Sequence, residues 1–322
     1  MNGSSADWRP TASLKRLRLR AALLARTRAF FAERQVMEVD TPVLVNAAVT
    51  DVHLHSVTVD VGTAPLLFLH TSPEYAMKRL LAAGSGDIYQ ICHVARGFEQ
   101  SRMHNTEFTL VEWYRLGFDS ARLMDEVEAL IRVLCGAHPA LRRPAERLSY
   151  REVFVRHTGL DPFEATTAEL LGLVAHLGYH DAAPRDDLLD LIMGAVIGPA
   201  LGHEALTFVH GYPATQAALA RLDPHDPRTA RRFELYLAGL ELANGFHELA
   251  SAGEQRARFA QDLAERERRA LPLHRMDDRL LGALEAGLPE CAGVAVGFDR
   301  VMMLAADAAH IREVLPFPTE TA

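Results

Sequence analysis

The sequence predicts an α+β fold, an antiparallel sheet flanked by helices, and three observations carry that expectation. Leu14, Leu17, Ala21, Leu24 and Phe31 recur at helical spacing behind Ser13, an N-cap residue, so a long amphipathic helix from Leu14 to Gln35 opens the fold. Two strand-like runs, Asp87 to Val94 and Glu107 to Arg115, flank a polar stretch from Arg96 to Thr106 that is too long for a tight turn. They make a hairpin with a long, functional loop. The third is a glycine-rich strand, Gly293 to Phe298, that runs into an apolar helix from Val301 to Ala306.

The elements between these follow from local signals. Val36 to Val39 reads as a strand stopped at Thr41-Pro42, because proline donates nothing to a central ladder. An alternating run from Leu54 to Val61 and a short strand from Leu66 to Leu69 come next. A helix from Pro73 to Ala83 has Ser72 as N-cap, proline at its first position and Gly84 past its end. In the stretch from Gly136 to Arg228, Thr167 to Leu177 and Asp186 to Ile197 are helical, and Leu206 to Val209 is a strand. The segment from Arg232 to Leu249 fits either a helix or a hairpin turning near Gly239, and a charged helix runs from Glu254 to Ala270. Without repeats or a low-complexity linker, the expected organisation is a short polar tail, 1–13, and one continuous domain, 14–322.

The chain has 322 residues, 49% hydrophobic and 24% charged, which places it among ordinary globular proteins. Its long apolar stretch, Leu188 to Leu201, is broken by Asp190, Gly194, Gly198 and Pro199, so no bilayer span is expected. Met1 to Thr11 is polar and unlike a secretory signal, which makes a cytoplasmic location the expectation. Cys92, Cys135 and Cys291 are too dispersed for a disulfide framework or a zinc ribbon and read as buried thiols. A net charge of -8 argues against a protein built to grip phosphate backbones. Lys15, Arg16, Arg18, Arg20, Arg26 and Arg28 crowd the first helix and read as a solvated face. Lys15 and Lys78 are the only lysines, which reads as compositional bias toward arginine.

Three regions carry chemistry. Arg96, Glu99, Arg102, His104 and Asn105 lie in the hairpin loop, and Glu112 shares one strand face with Phe108, Leu110 and Tyr114. A carboxylate on a dry face is costly, so Glu112 is paired, solvated or functional. Glu234, Glu241 and Glu248 recur at sevens, and either reading of their segment brings three acids together as a candidate cation site. Small residues alternate from Gly293 to Gly297, which lets a flat ligand approach the backbone, and Arg300 follows at a helix start. No P-loop or H-E-x-x-H is present, and His53 with His55 read as flanking a surface strand rather than binding metal.

Together these regions resemble the three signature motifs of class II aminoacyl-tRNA synthetases: the first helix through Pro42, Arg96 through Tyr114, and Gly293 through Arg300. Thr71-Ser72-Pro73-Glu74, Glu112-Trp113-Tyr114, Asn244-Gly245-Phe246-x-Glu248 and Gly297-Phe298-Asp299-Arg300 are similar to the lysyl branch. Within it the chain looks most like the ligases that attach a lysine-like amino acid to elongation factor P. The resemblance runs from Leu14 to Pro318 and implies a class II synthetase-like sheet, ATP and Mg2+, and a homodimer. It implies that Arg96 and Arg300 are catalytic and hold the α- and γ-phosphates. ATP would be contacted also by Gly97, Phe98, Glu99, His104, Asn105, Phe108, Glu241, Leu242 and Gly297, with Glu234 and Glu241 on Mg2+. The lysine or (R)-β-lysine pocket would comprise Ser72, Pro73, Glu74, Glu112, Tyr114, Asn244, Phe246, Glu248 and Ala295. Ala295 stands where the synthetases usually carry glycine.

The chain departs from that pattern in two places. Ala95-Arg96-Gly97-Phe98-Glu99 replaces the usual Phe-Arg-x-Glu, so the adenine contact falls to Glu99 or to the backbone near Phe98. Thr106 stands where proline is usual. Only a dozen or so residues precede the first helix, which leaves no place for the OB-fold of a lysyl-tRNA synthetase. The expected acceptor is therefore elongation factor P and not tRNA. The rivals are a truncated lysyl-tRNA synthetase and a non-catalytic amino-acid sensor; the triphosphate set of Arg96, Glu241 and Arg300 disfavours the sensor.

Overall fold

A computed structural model describes residues 8–62, 66–179 and 183–322. Part of the expected polar tail, residues 1–7, lies outside the described residues. The chain opens with α1 (Leu14–Glu33), then β1 (Met37–Glu38), β2 (Leu44–Val45), β3 (Thr58–Val59), β4 (Leu67–Leu69) and α2 (Glu74–Ala82). The hairpin β5 (Ile88–Ala95) and β6 (Glu107–Leu116) leads to α3 (Ser120–Cys135), β7 (Glu146–Ser149), α4 (Tyr150–Thr158), α5 (Thr167–Val174) and α6 (Arg185–Ile192). A second hairpin region holds β8 (Thr207–Pro213), β9 (Thr229–Leu237) and β10 (Leu240–His247). Then come α7 (Ala252–Arg268), α8 (Asp278–Gly287), β11 (Cys291–Gly297) and α9 (Phe298–Ala305).

Eight of these strands form one sheet in the order β1-β5-β6-β11-β10-β9-β8-β7. Only the outermost pairs, β1 with β5 and β7 with β8, are parallel. The fold is thus α+β with a mainly antiparallel sheet, as the sequence predicts. β2, β3 and β4 make a separate small sheet.

Strand alternation gives the large sheet two chemically different faces. Val111, Trp113, Val294, Val296, Ala243, Phe233 and Leu235 face the main core, with Leu23, Phe30 and Phe31 of α1 and residues of α3 and α9. The opposite face is covered at its two ends only. At one end Met77 and Leu81 of α2 and Leu280, Leu281 and Leu284 of α8 pack on Ile88 and Tyr114. At the other, α4, α5 and α6 pack on Val209, Tyr212 and Tyr236. A cleft remains between the two covers.

The structure bears out some of the local expectations and corrects others. α1 is capped by Ser13, whose hydroxyl accepts the Arg16 N–H. It buries Leu23, Thr27, Phe30 and Phe31, whereas Leu14 is exposed. Its basic residues are not one open face: Arg16 pairs with Glu313, Arg20 with Asp299 and Arg28 with Glu38. Of the alternating run from Leu54 to Val61 only Thr58–Val59 forms a strand. The preceding carbonyls are engaged elsewhere: Asp51 accepts from the buried Arg266, and His55 accepts from Gly97 N–H. Arg232 to His247 is the hairpin and not the helix, with both turn residues, Ala238 and Gly239, at positive φ. Cys135 and Cys291 are buried thiols as expected, and Cys92 is half-buried.

Candidate active site

The cleft encloses about 1760 Å³, and pairing register dictates what lines its floor. One row runs across five strands: Gln90 opposite Glu112, Glu112 opposite Ala295, Ala295 opposite Asn244, and Asn244 opposite Glu234. The next row is Ile88, Tyr114, Gly293, Phe246 and Arg232. Residues paired across a sheet point to the same side, so both rows share the cleft side of the sheet, and all but Gln90 and Ile88 line the cleft itself. Glu241 would be out of phase with Asn244 in a regular strand. A bulge between Glu241 and Ala243 corrects this: Glu241 pairs with Tyr236 and joins the cleft face, while Leu242 turns into the core.

All nine residues expected to read the amino acid line this cleft: Ser72, Pro73, Glu74, Glu112, Tyr114, Asn244, Phe246, Glu248 and Ala295. Glu112 is 2% exposed and accepts from the Ser72 hydroxyl at 2.7 Å and the Tyr114 hydroxyl at 2.8 Å. Ser72 also accepts the Glu74 N–H at 3.0 Å, so one hydroxyl ties the start of α2 to the sheet. Pro73 occupies the N-cap position and α2 begins at Glu74, one residue later than its sequence suggests. Burial, then the neighbouring Glu74, pushes the Glu112 carboxyl up to about 8 against those two hydrogen bonds. Burial likewise raises Glu248 to about 7, opposed by Lys78.

Gly293 lets these groups meet. A Cβ there would lie 2.2 Å from the Tyr114 ring and 2.6 Å from Glu248 Oε1. On the other face, a Cβ at Gly245 would strike the Phe233 ring at 2.4 Å. Both glycines are required by close approach, one serving the site and one the core.

Glu234 and Glu241, the expected metal ligands, also line the cleft. Glu234 accepts from Arg232 at 2.5 Å and from Tyr236 OH at 2.6 Å. Burial and then Glu234 raise the Glu241 carboxyl, although 42% of its side chain remains exposed. Two acids that repel each other beside an open cleft suit a Mg2+ ion, which takes one or two carboxylates and completes its shell with phosphate oxygens and water. Among the described residues no cluster of three or more His, Cys, Asp or Glu forms a self-sufficient metal cage.

The expected ATP residues are less tightly gathered. Arg96 and Glu241 line the cleft, whereas Gly97, Phe98, Glu99, His104, Asn105, Phe108, Leu242, Gly297 and Arg300 lie outside its lining. Arg96 donates to the Thr71 carbonyl at 3.3 Å, and its guanidinium sits 5.1 Å from the Phe108 ring centre. Gly97 abuts His55, and Phe98, 91% exposed at positive φ, meets the His55 ring edge-on. Asn105 is buried and structural: it donates to the Glu107 carbonyl at 2.6 Å and accepts the Thr319 N–H at 3.2 Å. The buried Leu242 side chain cannot touch a nucleotide, and only its backbone carbonyl approaches Gly297. Arg300 donates to the Glu241 carbonyl at 2.8 Å and to His104 at 2.6 Å.

The sequence reading missed two charged residues. Arg232 donates to Glu234, to Asn244 Oδ1 at 3.3 Å and to the Gln216 carbonyl at 2.8 Å, linking the metal and amino-acid candidates. Its signal was its position two before Glu234 on one strand face. Lys78 is 1% exposed and pairs with Glu74 and Glu248; its signal was its spacing of four from Glu74 on a helix.

Residues 2–321 match the tRNA synthetases class II (D, K and N). The chain is 50% identical over 322 residues to the elongation factor P--(R)-beta-lysine ligase of Vibrio campbellii, covering 97% of this chain and 98% of that protein. It is 49% identical over 326 residues to the protein of the same name from Vibrio cholerae, 98% of each. The Pasteurella multocida protein of that name is 46% identical over 323 residues, again 98% of each.

Proposed function

The chain belongs to the class II tRNA synthetase family (D, K and N), and we propose that it is an ATP-dependent ligase acting on elongation factor P. It activates (R)-β-lysine or lysine as the aminoacyl-adenylate, then transfers the aminoacyl group to a lysine ε-amine of that factor. The observation that carries this reading is the polar row Glu112-Ala295-Asn244-Glu234, flanked by Glu74 and Glu248. Acids that are buried yet open to a cleft suit a ligand with two ammonium groups, since such charges leave water only against anionic partners.

In the first step the substrate carboxylate attacks the α-phosphorus of ATP, an acyl-phosphate bond forms, and pyrophosphate leaves. Catalysis of that displacement is positioning and charge neutralisation. Arg96 from the β5–β6 loop neutralises the α-phosphate, and Arg300 at the start of α9 takes the γ-phosphate. Glu234 and Glu241 would hold Mg2+, which would supply further neutralisation of the phosphates. In the second step the neutral acceptor amine attacks the mixed anhydride; an amide forms, AMP leaves and the amine gives up a proton. The sequence similarity to ligases named for elongation factor P supports that factor as acceptor. A homodimer and a cytoplasmic setting accompany this reading as parts of the proposal; no helix of the described residues is long and apolar enough to cross a membrane.

The test offers elongation factor P and lysine tRNA side by side, with ATP, Mg2+ and either lysine or (R)-β-lysine. The expected outcome is one β-lysyl group on the factor by mass spectrometry. Charging of tRNA at a comparable or better rate, with the factor unmodified, replaces this reading by a truncated lysyl-tRNA synthetase.

A further inference from the structure

Lys78 is one of two lysines in the chain and the only one inside it, with 2% of its side chain exposed. It lies on α2 four residues after Glu74, and its neighbours Tyr75, Ala76 and Arg79 line the cleft while Lys78 does not. Its ammonium nitrogen stands 2.6 Å from Glu74 Oε1 and 2.6 Å from Glu248 Oε2. It therefore approaches both carboxylates from behind the cleft wall. Burying an ammonium costs several kcal/mol unless its partners compensate, and an apolar side chain of equal length would fill the same space. Burial alone would lower the Lys78 ammonium, yet Glu248 and then Glu74 hold it above its ordinary value, so it stays charged. Glu248 depends on it: this is its one ion pair among the described residues, and apart from Lys78 neither of its oxygens has a hydrogen-bond partner there.

We propose that Lys78 is a positioning residue for amino-acid recognition, holding one oxygen of Glu74 and one of Glu248 so that the other oxygen of each is free for the substrate's amines. The inference rests on the ligase reading of this cleft. It assigns Lys78 a second effect as well, because a fixed cation favours the ionised form of Glu248 that an ammonium ligand requires. Glu74 and Glu248 then face the substrate's amines with one built-in ammonium between them, and Glu112, held by Ser72 and Tyr114, adds a further acceptor beside them.

The experiment is ATP–pyrophosphate exchange across neutral and alkaline pH with the wild-type enzyme, K78M and K78R, using (R)-β-lysine and lysine, with thermal unfolding as the folding control. K78M is expected to raise KM for the amino acid about tenfold or more, to leave KM for ATP within about twofold, and to move the acidic limb of kcat/KM to higher pH. K78R keeps the charge and should recover part of the loss. A folded K78M with unchanged amino-acid KM and unchanged pH limb overturns the proposal, as does an equal rise in both KM values. Should K78M fail to fold, K78R, whose planar guanidinium cannot meet both oxygens from the same point, is expected to show the same split at about threefold; wild-type KM values there overturn the proposal. Wild-type enzyme with no exchange for either amino acid removes the ligase reading and the role of Lys78 with it, whereas wild-type exchange without the split removes Lys78 alone.

Discussion

Arg300 donates to His104 Nε2 at 2.6 Å, which joins the start of α9 to the β5–β6 loop. Burial, then Arg300, then Arg96, holds the His104 imidazole down at about 4, so its ring is neutral near pH 7 and able to accept. With Nε2 accepting, the proton sits on Nδ1 and is given to Ser101 Oγ at 2.8 Å. Arg300 is thus oriented by one imidazole and one carbonyl, that of Glu241.

Arg300→Ala is expected to lower amino-acid-dependent ATP–pyrophosphate exchange by about a hundredfold or more, on the order of 3 kcal/mol of transition-state stabilisation. Exchange equal to the parent's would remove Arg300 from the phosphate site.

His104 also sets a limit on stability at low pH. Its folded value lies below the ordinary 6.5, so the unfolded chain binds more protons between about 4 and 6.5 and stability declines as the pH falls through that window. His104→Gln should lessen this decline, read from melting temperatures at successive pH values; identical slopes would mean that the ring titrates normally.

Glu112 has the opposite sign. Its folded value of about 8 lies above the ordinary 4.5, so the native state binds more protons and loses stability as the pH rises between the two. Glu112→Gln is expected to flatten that decline with rising pH while abolishing tight amino-acid binding. Parallel melting curves for parent and variant across this range would show that Glu112 is ionised at neutral pH.

Glu248→Gln should weaken binding of lysine or (R)-β-lysine while ATP binding survives, because Glu248 lies among Glu74, Tyr114 and Gly293 and, among the described residues, has no ion pair or hydrogen bond with Arg96 or Arg300. Calorimetric titration of each ligand separately decides the matter. Equal loss of both affinities would make the residue structural.

Gly293→Ala is expected to cost about 1–3 kcal/mol of stability, the range for overpacking, since its Cβ would enter the space of the Tyr114 ring. Denaturant unfolding measures it, and a variant as stable as the parent would mean that Tyr114 swings aside freely.

Much of the amino-acid pocket was legible because strand alternation carries it: Glu112 and Tyr114 share a face by period two, and local wording located Ser72, Glu74 and Glu248. The phase of Glu241 was not, since a bulge is a pairing event and Leu242 gives no local sign of it. Long-range partners were equally hidden. Nothing near Asn105 in the sequence indicates that its side chain holds Thr319, and the basic residues of α1 looked solvated because Glu313, Asp299 and Glu38 come from other elements. No sequence expectation covers α3, although Leu123, Val127, Leu130 and Leu134 repeat at helical spacing.

β11 is the last of the sheet's strands in chain order, yet it lies at the sheet's centre between β6 and β10. During synthesis from the N-terminus, the facing edges of β6 and β10 have no partner until residues 291–297 have left the ribosome. The nascent chain therefore carries the open edge of β6 (Glu107–Leu116) from early in its translation, joined late by that of β10 (Leu240–His247), the kind of surface that invites intermolecular strand pairing. Ala295 closes the gap between Glu112 and Asn244 in the same event that covers those edges, so the catalytic floor and protection from aggregation arrive together.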